Sequence, residues 1–419
     1  MLFRGDATFG QILDRNRGAG PGFDLLRMGW AVSIYISHCS MLAGNHHLLS
    51  NLLASLFHVP HTDLVQQGSA AAGGGGQADL VEMGRVVTGP GRPYTLARVP
   101  MFFALSGFLV AASAFRTRNV LRFLGLRALR ILPALVTEVT LSAVLLGSLF
   151  TTLPIVDYFR SSGFYKYFFN IIGIVTLTLP GVFKDTSPSK AVNGNLWTLP
   201  IEFDCYFVLA VVMLIGVLYN RKLFTGIFVV STLVMIAANT GFSYLSAEDV
   251  LSNRVVFYYF ITGVLVYHWR HEIPYSFGIF IVAILVFVIM CYSHRTIFIY
   301  PLALTYVTIF IGLSRLPEVS LFKTGDYSYG VYLYGYPITQ GVIAGMPFVR
   351  GNIILIIGVG LTFTMLFAMF SWHVIEKNAL KLKRHISPNS AILTNQLHPE
   401  TIVGGAAASV STEVLGGPT

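Results

Sequence analysis

Ten apolar runs, each about 17–23 residues long, begin near Leu25, Val99, Ile131, Leu196, Leu223, Val255, Tyr275, Thr296, Tyr329 and Ile353. A run of that length crosses a hydrocarbon core about 30 Å thick as a single helix. Short polar stretches separate most of them. Of the 419 residues, 54% are hydrophobic and only 11% charged. Soluble domains carry about a quarter of their residues as charges, so the apolar surplus here must be solvated by lipid. The expected fold class is all-α: a polytopic membrane helical bundle of about ten transmembrane helices, each satisfying its own backbone hydrogen bonds.

Loop charge orients the bundle. Basic residues gather at Arg116, Arg118, Arg122, Arg127 and Arg130, at Arg221-Lys222, at Arg270, at Arg315 with Lys323, and at Lys377, Lys381, Lys383 and Arg384. If the ambiguous segment "YKYFFNIIGIVTLTLPGVF" does not cross, all of these fall on one side together with Arg4, Arg15 and Arg17. The positive-inside rule then puts both termini in the cytoplasm and makes 165–181 a half-buried or interfacial helix. The net charge of +9 is accounted for by this bias, and no aromatic-interleaved basic domain suggests nucleic acid. Residues 1–22 lack a signal-peptide core and read as a cytoplasmic N-terminal segment. Residues 23–384 form the transmembrane domain, with 44–98 as a long extracytoplasmic loop and 385–419 as a disordered cytoplasmic tail. The cysteines Cys39, Cys205 and Cys291 lie in apolar runs, which suggests neither a disulfide framework nor a thiolate cage. His46, His47, His58 and His61 are too irregularly spaced for a metal site.

Ionisable groups inside the apolar runs are the functional candidates, because each is costly in a bilayer. Arg27 and His38 are eleven positions apart, about 20° beyond three full turns and about 16 Å along a helix axis, so they share a face. Histidine there either makes a structural interhelical hydrogen bond or serves as a base or acyl acceptor, since its neutral ring takes a proton near neutral pH. Glu202, in "NGNLWTLPIEFDCY", enters from the opposite side and comes out at a similar depth to His38. A carboxylate beside an imidazole fixes its tautomer; Asp204 competes with Glu202 for the inward position. Arg127 and Arg130, three residues apart, are neighbours on one helical face, with Arg122 just before them. Paired guanidinium groups suit phosphate oxygens, although cytoplasmic anchoring explains many basic loops. Ser106 lacks a nucleophile-elbow pattern and is expected to aid helix packing with Gly107. Gly335 and Pro337 suggest a broken or kinked helix.

In order along the chain, Arg27 and His38, "PMFFALSGFLV", the R-x-x-R pair Arg127 and Arg130, "NGNLWTLPIEFDCY", "DYSYGVYLYGYP" and "SWHVIEKNALKLKR" resemble the acyltransferase 3 family of bacterial membrane O-acyltransferases. The resemblance runs roughly from Phe23 to Arg384. It implies transfer of an acyl group, usually acetyl, from cytoplasmic acyl-CoA to a glycan across the membrane. It also implies that His38 is the essential histidine, Arg27 its motif partner, Arg127 and Arg130 part of the donor region, and Glu202 near the acceptor. Many members carry two adjacent acids after the tryptophan motif, whereas Phe203 follows Glu202 here.

The resulting expectation is an inner-membrane O-acetyltransferase. Arg122, Arg127 and Arg130 would hold the acetyl-CoA phosphates, and His38, oriented by Glu202, would act as base or acyl carrier. Trp197, Tyr332, Tyr334 and Tyr336, with Asp204, would meet the carbohydrate acceptor, although interfacial aromatic belts are the usual reason for such residues. No metal is called for. The rival reading is a glycan or anion transporter without acyl-transfer chemistry, against which the lack of an internal repeat counts.

Overall fold

A computed structural model describes residues 7–44, 92–184, 186, 188–241, 253–292, 297–317 and 324–383. The expectations for most of the 44–98 loop and for the 385–419 tail fall outside these residues. The described residues are helical and irregular, with two isolated β-bridges and no named strand.

The helices in chain order are α1 (Phe9–Arg15), α2 (Phe23–Leu42), α3 (Arg92–Thr117), α4 (Val120–Phe150), the short α5 (Ile155–Arg160) and α6 (Ser162–Tyr167), α7 (Gly194–Leu214), α8 (Arg221–Gly241), α9 (Asn253–His268), α10 (Phe277–Met290), α11 (Tyr300–Leu313), α12 (Ser328–Gly345) and α13 (Ile353–Leu380). Every sequence run begins inside one of these helices or within a few residues of its start. Five of them, α3, α4, α7, α8 and α13, are long and apolar enough to cross a membrane, while α10 and α11 are shorter apolar helices. α2 and α12 instead carry polar residues such as His38, Thr339 and Gln340 into the interior. α12 runs unbroken from Ser328 to Gly345 with Pro337 inside it.

The 165–181 segment is not one helix. α6 passes into a 3₁₀ turn at Phe168–Ile172, which ends at Gly173 with φ +85°. The buried Asn170 side chain then takes over as a turn, donating to the Tyr167 and Thr176 carbonyls and accepting from the Thr176 amide. The two helical pieces span about 19 Å, well short of what a crossing needs.

The core is closed by small residues where helices cross. α3 and α9 approach so closely that a Cβ on Gly107 would lie 1.9 Å from the Phe260 carbonyl oxygen, and one on Gly263 would lie 2.1 Å from that of Ala104. Close backbone approach through glycine is how helices associate in lipid, where no hydrophobic force joins them. Gly107→Val is therefore expected to destabilise the fold by on the order of 3 kcal/mol. The check is the melting temperature and yield of the detergent-solubilised variant; a wild-type melting temperature would refute it.

Several loops meet at one end of the bundle. The Phe9 amide bonds the Ile273 carbonyl (3.0 Å), and the Tyr275 amide bonds that of Ala7 (2.8 Å), so the N-terminal segment docks on the α9–α10 loop. The starts of α2 and α12, the first third of α4 and the end of α13 are tied by ion pairs described below.

Candidate active site

A cavity of about 190 Å³ lies between α2, α3, α4, α7, α9 and α12. Its walls are mostly apolar, as Phe102, Leu109, Leu199 and Leu333 illustrate, with polar groups at a few places: Arg27, Ser106, Arg127, Arg130, Glu202 and Tyr332 among them. Ligand pockets for whole small molecules usually exceed about 300 Å³. This space suits a slender arm or a small group rather than a complete nucleotide.

The basic mouth is a charge network. Asp326, in the turn before α12, accepts from Arg130 Nη2 at 2.5 Å and pairs with Arg27 Nη1 at 3.0 Å. Arg27 also bonds Asp24 (2.5 Å), and Arg130 reaches Glu376 at 3.4 Å. Burial opposes the charge on Asp326, but Arg27 and Arg130 together hold its carboxyl well below the usual carboxylate range. Glu376 points inward because α13 contains a π-turn at Trp372–Glu376, an insertion that re-aims a side chain. Arg127 is differently placed. Its Nη2 reaches only the Ser113 hydroxyl, at 3.4 Å, and its buried Nε has no hydrogen-bond partner. Lys383, just beyond α13, is pushed down to about 8 by burial and by the nearby Arg130, Arg127 and Arg116. Cations that crowd one another in this way gain from a bound anion.

Higher in the cavity, the Tyr206 hydroxyl donates to Glu202 at 2.5 Å, one helical turn away on α7. Asn195 and Thr198, in the 3₁₀ turn that opens α7, line the wall and both bond Tyr332. Ile34, one turn before His38, is also a wall residue. His38 itself is 7% exposed and is not a wall residue; its ring stands edge-on to Tyr336, with centroids 5.2 Å apart, and its Nδ1 has no hydrogen-bond partner.

The sequence candidates therefore separate. Arg27, Arg127, Arg130, Glu202 and Tyr332 come together on one cavity. Glu202 does not reach His38: its charged neighbours are Arg127 and Arg130, and no carboxylate orients the imidazole among the described residues. Arg122 is exposed and off the cavity, because five residues turn it about 140° from Arg127. Asp204 is likewise exposed, two residues and about 200° from Glu202. Trp197 is half-buried beside the wall rather than in it. Tyr334 and Tyr336 are core residues, 3% and 1% exposed. Tyr334 bonds the Ala134 carbonyl and Ser371, and Tyr336 donates to Ser189. Neither offers a face for a sugar to stack on. Ser106, expected only to pack, is a wall residue. Asp326, Glu376, Tyr206 and Lys383 were not foreseen as site residues, although all four stand in the quoted motifs "DYSYGVYLYGYP", "NGNLWTLPIEFDCY" and "SWHVIEKNALKLKR", and buried arginines require carboxylates.

Comparison with known proteins adds the chemistry. The chain is 28% identical over 303 residues to an "O-acetyl transferase" of Shigella phage Sf6, covering 67% of this chain and 84% of that protein. It is 26% identical over 319 residues to "Nodulation protein 10" of Rhizobium leguminosarum bv. viciae, covering 68% of this chain and 82% of the other. No solved structure matches the chain significantly. Residues 21–373 match the acyltransferase domain of the acyltransferase 3 family, and an interior cavity with cations at one end and a buried histidine near its wall is compatible with acyl transfer: the chain belongs to that family.

Proposed function

We propose that this protein is an O-acetyltransferase of the bacterial inner membrane, with about ten spans and both termini cytoplasmic. It moves acetyl from cytoplasmic acetyl-CoA to a hydroxyl of an extracytoplasmic glycan: a surface polysaccharide, lipopolysaccharide or lipid-linked oligosaccharide. The observation that carries this reading is that one cavity joins the cationic mouth at Arg27, Arg127 and Arg130 to Ile34, one turn from His38. A carrier with a long thin arm and a phosphate-bearing head fits that shape. The head would stay at the mouth against Arg127, Arg116 and Lys383, and the arm would enter between apolar walls.

In this reading Arg130 and Arg27 serve chiefly as anchors, because carboxylates already occupy them. Arg127 reads the phosphate. His38 takes the proton of the incoming sugar hydroxyl, or carries the acetyl group between donor and acceptor. Delivery requires the Ile34 side chain to yield. Glu202, held by Tyr206 and facing Arg127, sets the polarity of the cavity instead of orienting the histidine.

The direct test uses purified protein in proteoliposomes given labelled acetyl-CoA, alongside mass spectrometry of surface glycans from a strain lacking the protein. Transfer of label, and loss of one acetyl mass per repeat unit in the strain, are expected; glycan translocation without acetyl transfer would favour the transporter. Arg127→Ala is expected to weaken acetyl-CoA binding about 10- to 100-fold, the worth of one charge-assisted hydrogen bond. Equilibrium binding reads this, and an unchanged affinity would remove Arg127 from the donor site.

A further inference from the structure

α3 begins with "RPYTLARVPMFF", and its Arg98 has been assigned no task. This arginine is 5% exposed. Its guanidinium lies 5.3 Å over the Tyr94 ring, and the Tyr94 hydroxyl is hydrogen-bonded to Ser33 on α2. Its Nε has no hydrogen-bond partner. Among the described residues no carboxylate pairs with it, unlike Arg27 and Arg130 at the opposite end of the cavity. An unpaired buried cation is costly and persists where it has a use.

Its position suggests the use. Arg98 is within electrostatic reach of His38, whose own Nδ1 is also without a partner. Neither is itself a wall residue, but Arg98 shares a face of α3 with the wall residues Phe102 and Leu109, and His38 shares one of α2 with the wall residue Ile34. Two buried, unsatisfied polar groups thus stand just behind the wall of the region where the thioester would arrive. We propose that Arg98 is the oxyanion-stabilising residue of acyl transfer, donating to the carbonyl oxygen as negative charge develops on it. This rests on the acetyltransferase reading above.

The step balances as follows. The sugar oxygen attacks the thioester carbonyl carbon while its proton passes to His38, and the carbonyl π pair moves onto oxygen, where the guanidinium holds it. Collapse reforms the carbonyl and breaks the C–S bond, and the imidazolium returns the proton to the departing CoA sulfur. The products are the acetyl ester and free CoA thiol. Arg98 also couples the two halves of the step. A protonated His38 next to a guanidinium is repelled unless an anion forms between them, so proton transfer and oxyanion formation favour each other. Should the acetyl pass first to His38, the same oxyanion arises in each half-reaction.

The test follows CoA thiol release from acetyl-CoA in proteoliposomes, with water, methyl glucoside and methyl glucuronide as acceptors. Arg98→Gln is expected to lower kcat about 10²- to 10³-fold, as loss of an oxyanion donor does, with acetyl-CoA affinity and acceptor KM unchanged. Arg98→Lys, which keeps the charge but loses the fork, should fall between. An unaltered kcat in Arg98→Gln overturns the proposal. So does a loss confined to a raised KM for the glucuronide, because Arg98 would then be reading an anionic acceptor. If Arg98→Gln does not fold, Arg98→Lys decides alone: a reduced kcat at unchanged KM supports the role, and an equal kcat refutes it. Unaltered protein that turns over nothing sinks the acetyltransferase reading and this proposal with it. An inert His38→Ala beside a fully active Arg98→Gln sinks only this proposal.

Discussion

His38→Ala is expected to reduce acetyl transfer by about 10²- to 10⁴-fold, the usual contribution of a positioned general base, while leaving a folded, donor-binding protein. The two halves of that outcome have separate physical grounds. Folding survives because the described surroundings of His38 ask little of it. Its Nδ1 makes no hydrogen bond, and its best-defined contact is the edge-to-face approach to Tyr336, worth about 1 kcal/mol. Tyr336 keeps its bond to Ser189 without it. Donor binding survives because the cationic mouth lies about 16 Å further along α2, at Arg27. Transfer fails because no other group among the described residues can take its place. Arg98 cannot accept a proton, and Glu202 is held by the Tyr206 hydroxyl and does not reach the site of His38. Label transfer in proteoliposomes, read beside acetyl-CoA binding and melting temperature, separates these components. Residual transfer within tenfold of the unaltered protein would remove His38 from the chemistry. A collapse in melting temperature would show instead that the ring is a structural brace.

Much of the fold was legible because membrane solvation imposes a coarse rule on sequence. An apolar run either crosses or is buried, and its length says which. The starts near Leu223 and Ile353 lie at or within two residues of the first residues of α8 and α13. That rule weakens where a segment pays for polarity with internal hydrogen bonds, as Asn170 does, and there the expected 165–181 helix breaks. Helical phase sorted the arginines in principle. Arg127 and Arg130 share the cavity, and the same arithmetic puts Arg122 on the far side. Partners were harder. Equal depth suggested that Glu202 meets His38, yet depth fixes one coordinate of three, and α7 carries its carboxylate to the arginines instead. Asp326 and Glu376 become counter-ions only when residues about 200 to 250 positions from Arg130 fold back onto it. No local pattern announces that. Arg98 went unnoticed for the opposite reason: its significance lies in a missing partner, which only an assembled interior can reveal.

Asp326→Asn is expected to destabilise the protein by about 3 kcal/mol or more, the cost of leaving a buried charge without its partner. The carboxylate is 19% exposed and serves two guanidinium groups from different helices, Arg27 of α2 and Arg130 of α4, which are 25% and 22% exposed. Asparagine preserves the volume and can still accept from the Ser328 hydroxyl, now at 2.6 Å. What it removes is charge. Arg27 is then left with Asp24, which at 66% exposure is well solvated, and Arg130 with the longer contact to Glu376. Two cations lose their shared anion, and α2, α4 and α12 lose the clasp that gathers them around the mouth. The pH dependence identifies the mechanism. Burial disfavours the ionised form of Asp326, but Arg27 and Arg130 outweigh it and hold the carboxyl far below the range it has in an unfolded chain. A depressed value in the folded state means that the stabilisation is present in full above the unfolded pKa, about 4. It is lost only as pH falls from there through the lower folded value. The deficit of Asp326→Asn in detergent unfolding should therefore be the same at about pH 8 and about pH 5. If it shrinks at the lower pH, the carboxylate is already protonating, and the arginines hold it less tightly than the geometry requires. If there is no deficit at either pH, the three helices are gathered by packing, and the ion network only decorates them.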